Sequence, residues 1–503
     1  MQTATQTLHR ITSYTIWEEP TGWDPPVDDP RVVRSFEPND LSRLPWFYKR
    51  YPSSLLVLRL PRDLPATTAP AVAVLAGTAD VASAALDLPG LSRLLHLSAG
   101  VVRTGQRSYG TYPFRASGSA GGRFPLEVYV AVPEPAHPPE ATPAPGAAAA
   151  PGGVAAVPGG ADVPPGVYWY HPQEHALVQV GPPPRGEAPA LVVTGIPWRT
   201  GWRYRERGYR HVYWDAGSML AQALAAAESA GFGPRLYSYF PDAAVGELVG
   251  ADGVHEWPVA VLALGGGVPA LESSGPATAG QTDAAPVEFP LATAAQRAGD
   301  RDTLGVPWDR GAPVDVPVLD VRPVEDVVLA RGSQRRMDPA RGLPETLLRT
   351  SFAAALRGIS LPHRIVVHDI TGMEPGVYRW PGLSAPARPG ALRDELYRVC
   401  LEQALGRDAA FVAIATADVA TLDDRAYREA HLAAGVAEGR LHLLAYAARA
   451  SASGMTFIDA MIPDLLGEPL NALLFTCVGV PGYTSSAGGQ PGTPTPISHI
   501  TPR

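Results

Sequence analysis

Lysine is all but missing from this chain of 503 residues: lysine and arginine together number 41, and Lys49 is the one lysine among them. With alanine, glycine and proline abundant, that imbalance reads as the imprint of a G+C-rich genome and not as local chemistry. Cysteine is nearly absent too. Two residues, Cys400 and Cys477, allow neither a disulfide framework nor a cysteine-rich zinc site. No uninterrupted apolar run reaches the length of about 18 residues that a membrane helix needs. Excess positive charge is also lacking: a net charge of −8 and a pI near 5.9 argue against a general nucleic-acid binder. The N-terminus has no basic start followed by an apolar run, so no signal peptide is expected and the cytoplasm is the expected compartment.

What is plentiful is glycine and proline, 51 and 54 residues. Together they make about a fifth of the chain, against an ordinary share of roughly an eighth. Some of the length is therefore expected to be loop or linker. The remainder repeats itself. Gly166-Val-Tyr168 recurs as Gly376-Val-Tyr378, and the apolar run 190–196 is echoed by 410–416. Arg207-Gly-Tyr-Arg210 returns as Arg425-Ala-Tyr-Arg428, followed in both cases by an Ala-Gly pair (216–217 and 434–435) expected to open a long helix. Those helices are expected to end near Gly231 and Gly454, and each copy closes on an apolar strand, 259–265 and 472–479. Each copy thus predicts strand, strand, long helix, strand, an α+β unit.

The expected organisation has five parts. Residues 1–90 form a separate N-terminal region with Trp17, Trp23 and an aromatic cluster at 46–51, suited to partner or peptide docking. The first repeat spans 91–266, with a Pro/Ala/Gly-rich insertion at 133–165 expected to be disordered. A linker at 267–325 leads to a degenerate second repeat at 326–483, and 484–503 is expected to be a flexible tail.

Residues 114–130 read FRASGSAGGRFPLEVYV, and they are followed by GVYWYHP at 166–172, RYRERGYR at 203–210 and HEWPVAVLALG at 255–265. In this order the segments resemble the azoline dehydrogenases of the nitroreductase superfamily. Arg115, Ser119, Gly121, Pro125, Leu126 and Glu127 stand where the flavin loop of that family has its motif. The second copy opens on RGSQRRM at 331–337, similar to the R-x-S-x-R of ordinary nitroreductases. The resemblance implies an α+β fold of two tandem nitroreductase-like, FMN-binding repeats forming an intramolecular pseudo-dimer, with homodimerisation the other possibility. Because R-x-S-x-R is clear only in the second copy and S-A-G-G only in the first, it implies one composite FMN site between them.

Within that site the resemblance implies cofactor contacts from Arg115, Ser117, Ser119, Ala120 and Gly121 in the first copy. The second copy supplies Arg331, Ser333, Arg335, Gly454 and Met455. Convergent arginines and a hydroxyl suit a dianionic phosphate, and small residues let backbone approach a flat ring. Tyr204 is implied as the catalytic base with Arg203 as its electrostatic partner. The family has lysine at the Arg203 position, and a guanidinium cannot take up a proton as a lysine can. Arg207 and Arg210 are secondary candidates, with structural ion pairing to Glu206 or Asp215 equally open, and Tyr204 admits a plain surface role. His171, Glu174 and His175 match a zinc-protease pattern, but Pro172 within it predicts a strand-end turn, and no metal is expected. The implied activity is FMN-dependent oxidation of thiazoline or oxazoline rings in a ribosomally made precursor peptide, beside a cyclodehydratase. A general nitro or enone flavin reductase and a flavin-free peptide-binding scaffold are the alternatives.

Overall fold

A computed structural model describes residues 2–15, 40–135, 154–155, 162–317, 320–498 and 500. Trp17, Trp23 and most of the 133–165 insertion lie outside the described residues.

The recurring apolar runs become the inner strands of two antiparallel sheets. In the first copy β1 (Leu126–Val132), β2 (Gly166–His171) and β3 (Ala190–Gly195) precede the helix α1 (Gly208–Ser229), and β4 (Pro234–Tyr237) and β5 (Trp257–Leu264) follow it. The second copy runs β6 (His363–Val367), β7 (Gly376–Arg379), β8 (Phe411–Ala417), α2 (Asp424–Ala447), β9 (Ser451–Met455) and β10 (Asn471–Gly479). The shared strand order is β2-β1-β3-β5-β4 in one sheet and β7-β6-β8-β10-β9 in the other. Every neighbouring pair in both runs is antiparallel. Even the irregularity is repeated: the β3–β5 ladder skips Val259 and the β8–β10 ladder skips Leu473. A bulge at the same place in both copies is a built feature of the strand.

The helices α1 and α2 pack on each other and are buried almost all round, as helices enclosed within a core must be. Their contact lies at the recurring Ala-Gly pairs. These sit inside the helices instead of opening them. A Cβ built on Gly217 would lie 2.3 Å from the Leu432 carbonyl oxygen, and one on Gly435 would lie 2.4 Å from that of Trp214. Backbone faces backbone there, so no side chain fits.

The start of each helix grips the other copy. Arg207 and Arg210 donate to the two carboxylate oxygens of Asp459, at 2.6 and 2.7 Å. In reciprocal fashion Arg425 and Arg428 hold Asp242, at 2.7 and 2.9 Å. Tyr209 and Tyr427, the middle residues of the two motifs, stack with ring centroids 6.5 Å apart. This i-to-j, j-to-i exchange is the signature of a twofold-like interface. It also places Asp242-Ala243 and Asp459-Ala460 in register as one more repeat. The anticipated partners, Glu206 and Asp215, have other duties: Glu206 accepts from the N–H groups of Leu291 and Ala292.

Other boundaries also differ from expectation. Residues 1–90 are not set apart. The helix Ala4–Thr12 presents the carbonyls of His9 and Thr12 to Arg210 and Arg207, and Val57–Arg59 extends the first sheet. The supposed linker contains the helix Pro290–Ala298, and a second helix, Val324–Ala330, spans its end. The supposed tail adds Thr495–Ile497 as a parallel strand beside Val101–Arg107. Gly454 lies within β9, not at a helix end.

Two stability measurements follow from the helix crossing and the clamp. Gly217→Ala is expected to lower unfolding free energy by about 1–3 kcal/mol, since backbone must move to admit a methyl group. Asp459→Asn is expected to cost about 3–5 kcal/mol, because it leaves two buried guanidiniums without a counter-charge. Burial alone would raise the Asp459 carboxyl, but Arg207 and Arg210 hold it well below the usual carboxylate range. A depressed folded-state value means the contribution is present above the unfolded value of about 3.9 and is lost as pH falls below it. Denaturant titrations at neutral and acid pH should show the variant and the parent converging in acid.

Candidate functional site

The loop 116–122, just before β1, meets the opening segment of the second copy. Arg331 donates through Nη2 and Nε to the Ala116 carbonyl, at 2.6 and 3.2 Å. A Cβ on Gly118 would face Arg331 Nη1 at 3.5 Å and Ser333 Oγ at 3.6 Å. Ser333 is held in place by a parallel bridge to Ala452 beside β9 residues Ser453 and Gly454.

Around this junction lie two adjoining chambers, of about 830 and 410 Å³. Gly118, Ser119, Ser333 and Arg335 border both. The larger is also lined by Tyr204, Arg203, Gly454 and Met455, the smaller by Arg331, Arg115 and Ser117. Candidates more than 300 positions apart in the sequence thus share one hollow. The expected tail forms part of its wall, through Thr484–Ser486 and Ile497.

Polar groups brought in by the two long helices shape the chamber. Asp215 of α1 accepts from the Ser119 hydroxyl at 2.5 Å and from the Ala120 N–H at 2.9 Å. The same Ser119 oxygen accepts from the Phe124 N–H at 2.7 Å. Burial pushes the Asp215 carboxyl up to about 7, against the pull of those hydrogen bonds. Glu438 of α2 accepts from Ser218 and pairs with His442 Nδ1 at 2.8 Å. Burial would raise Glu438, but His442 and the Ser218 hydrogen bond bring it below its ordinary value.

Tyr204 is 8% exposed, so it is no surface aromatic; its ring stacks on His211 at 4.1 Å. It meets the loop at Gly121, whose φ is 59°; a Cβ there would fall 2.8 Å from the Tyr204 hydroxyl and 2.9 Å from Arg203 Cδ. Burial raises the Tyr204 pKa, and Arg203 only partly offsets this. A raised value favours the neutral phenol over the phenolate.

Arg115 borders the smaller chamber, but its terminal nitrogens donate to the carbonyls of Leu126 at 2.6 Å and Phe47 at 3.1 Å. Ala120 reaches the chamber with its N–H given to Asp215. Arg207 and Arg210 are not part of the cavity and hold the two copies together. His171 ends β2 and His175 bonds to Tyr170 at 2.9 Å, in a strand-end turn. The sequence does not place Asp215, Glu438, Arg123 or Trp202 in the site. The first two carried a readable signal, a carboxylate in the middle of an Ala/Leu-rich helix.

Across the pseudo-twofold the helix positions that give the chamber its polar groups are apolar. By the spacing that pairs Gly217 with Gly435, Asp215, Ser218 and Glu438 correspond to Ala433, Val436 and Leu220, all buried apolar residues. The helix Ala71–Ala76 packs against α1 and α2.

Comparisons with known proteins agree with this architecture. The nitroreductase family model matches residues 170–266. A nitroreductase-like protein of Methanocaldococcus jannaschii, MJ1384, is 26% identical over 198 residues, which cover 36% of this chain and 82% of that protein. Among solved structures, a nitroreductase-like protein of Anabaena variabilis superposes with a TM-score of 0.66 at 22% identity, over 96% of this chain and 100% of that one. That likeness establishes a nitroreductase-like fold. A structure of the Escherichia coli microcin synthetase McbBCD complex with truncated pro-MccB17 bound gives 19% identity over 41% of this chain and 69% of that one. Its TM-score of 0.26 carries no argument.

Asp215→Asn tests the loop anchor. Losing one charge-assisted acceptor is expected to speed amide exchange at Ala120 and Phe124 by about tenfold or more, read by hydrogen exchange, with the β3 amides unchanged.

Proposed function

We propose that this protein is an FMN-dependent oxidoreductase that dehydrogenates thiazoline or oxazoline rings to azoles in a ribosomally made peptide. The observation that carries the reading is the pair of adjoining chambers built by both copies, with Arg331, Ser333 and Arg335 opposite the glycine-rich loop and Tyr204 at Gly121. The resemblance of 114–130 and 203–210 to azoline dehydrogenases supplies the substrate class. It also implies a cyclodehydratase partner that makes the ring.

The residues present fit FMN. Arg331 Nη1 is buried without a hydrogen-bond partner and faces the loop, as a guanidinium awaiting a phosphate oxygen would. Arg331, Ser333 and Arg335 would hold the phosphate, and the Ser117–Gly121 backbone with Gly454 and Met455 would border the ring. When bound, FMN supplies the acceptor for the hydride leaving the substrate's β-carbon.

The chain's part is to position the azoline and take the α-proton. Tyr204, a buried phenol, donates a hydrogen bond to the substrate, and Arg203 beside it contributes fixed positive charge. The base role moves from Tyr204 to Asp215, whose carboxyl titrates near 7. The proton reaches it through the Ser119 hydroxyl that already donates to it. Loss of H⁺ and hydride leaves an aromatic ring, and dioxygen is the terminal oxidant.

Flavin absorbance of the purified protein and oxidation of an azoline peptide test the proposal; a colourless protein that takes up no added FMN would sink it in favour of the scaffold. Arg331→Ala and Arg335→Ala should each weaken FMN binding by about tenfold or more. Activity should rise with pH through about 7 as Asp215 ionises, and Asp215→Asn should abolish that limb while retaining FMN. The second reading, a nitro or enone reductase, is favoured by Arg203 standing where azoline dehydrogenases have lysine. NAD(P)H-dependent turnover of a nitroaromatic without azoline oxidation would select it.

A further inference from the structure

The larger chamber contains a positive charge without a counter-charge. Arg123 lines it and is 3% exposed. Among the described residues its side chain forms no ion pair and no hydrogen bond, and its Nε is buried without a partner. The guanidinium lies 4.6 Å from the centre of the Trp202 ring and 5.7 Å from that of Phe47. The chamber's two carboxylates are both engaged elsewhere, Asp215 with Ser119 and Ala120, Glu438 with Ser218 and His442. The other arginines bordering it, Arg107, Arg203 and Arg335, only add positive charge.

A buried charge left unpaired is costly, so a group from outside the described structure is expected to complete it. Ser333 and Arg335 border both chambers, so its separation from the cofactor phosphate rests on Arg331. Arg331 and Arg103, the buried arginines of the phosphate side, border the smaller chamber only, and Arg123 borders the larger only. A planar guanidinium has a fork of donors that suits a bidentate carboxylate, and an indole face close by leaves that fork unpaired. Tyr112, Phe114 and Trp202 give the same chamber flat apolar walls.

We propose that Arg123, with Arg203 beside it, binds a carboxylate carried next to a planar ring of the substrate. Resting on the dehydrogenase reading, this makes the preferred azoline one that adjoins a carboxylate, either an acidic side chain or a free C-terminus.

The test titrates the purified protein with benzoate and with its neutral isostere benzamide, followed by tryptophan fluorescence, with flavin content measured in parallel. Benzoate should bind about tenfold or more tightly over benzamide. Arg123→Gln should erase that preference, Arg123→Lys should keep part of it, and flavin content should not change. Arg203→Gln, at an exposed position, should reduce the preference by a smaller factor, so it decides the matter if the buried variants fail to fold. Equal binding of the two probes, or an undiminished preference in Arg123→Gln or, where that variant does not fold, in Arg203→Gln, would overturn the site. So would loss of flavin from Arg123→Gln in place of loss of the preference. If the protein holds no flavin, the dehydrogenase reading falls, while the benzoate preference still decides the role of Arg123.

Discussion

Two helices can meet backbone to backbone only where neither carries a side chain, and the contact of Gly217 with Gly435 is that place. Once it is made, the sheet of each copy is carried to its own side of the helix pair. The starts of both helices then come within reach of the opposite copy's aspartate. The clamps are strong because they are dry: each joins two guanidiniums to one buried carboxylate. They act together with the glycine contact, since a shift of either helix would strand three charges.

The same crossing determines where a site can form. It sets Asp215 and Ser218 of α1 and Glu438 of α2 beside the loop 116–122 and the segment 331–335. On the opposite side the corresponding positions are Ala433, Val436 and Leu220. The scaffold is close to symmetric while the chemistry is one-sided, so one copy is free to supply loop and acid while the other supplies arginines.

Much of this was legible. The repeated GVY and R-x-Y-R motifs and the apolar runs correspond to real pairs of elements, because a buried strand or helix cannot disguise its apolar content. The Ala-Gly pairs are visible in the sequence, but a glycine at a helix crossing and one at a helix start look alike until the partner helix is known. The linker and tail look loose because they lack periodicity, yet a helix at 290–298 and a strand at 495–497 are held there by tertiary contacts. Arg207 and Arg210 were legible as ion-pairing residues, but Asp459 lies some 250 positions away and no local rule could supply it.

The near-absence of lysine shows the same division. Composition alone makes Lys49 a remnant of codon bias. In the folded chain its ammonium is buried against Glu256 at 2.5 Å and the Tyr129 hydroxyl at 2.6 Å, so it is a core residue. The sequence by itself determined the two-copy architecture and the residue types available for a cofactor site, because periodicity and motif order are local properties of a chain. Tertiary structure alone decided which arginines are neutralised and which, like Arg123, are not neutralised among the described residues. Electrostatic pairing acts through space, and every acid in the chamber comes from a helix far from that loop in sequence.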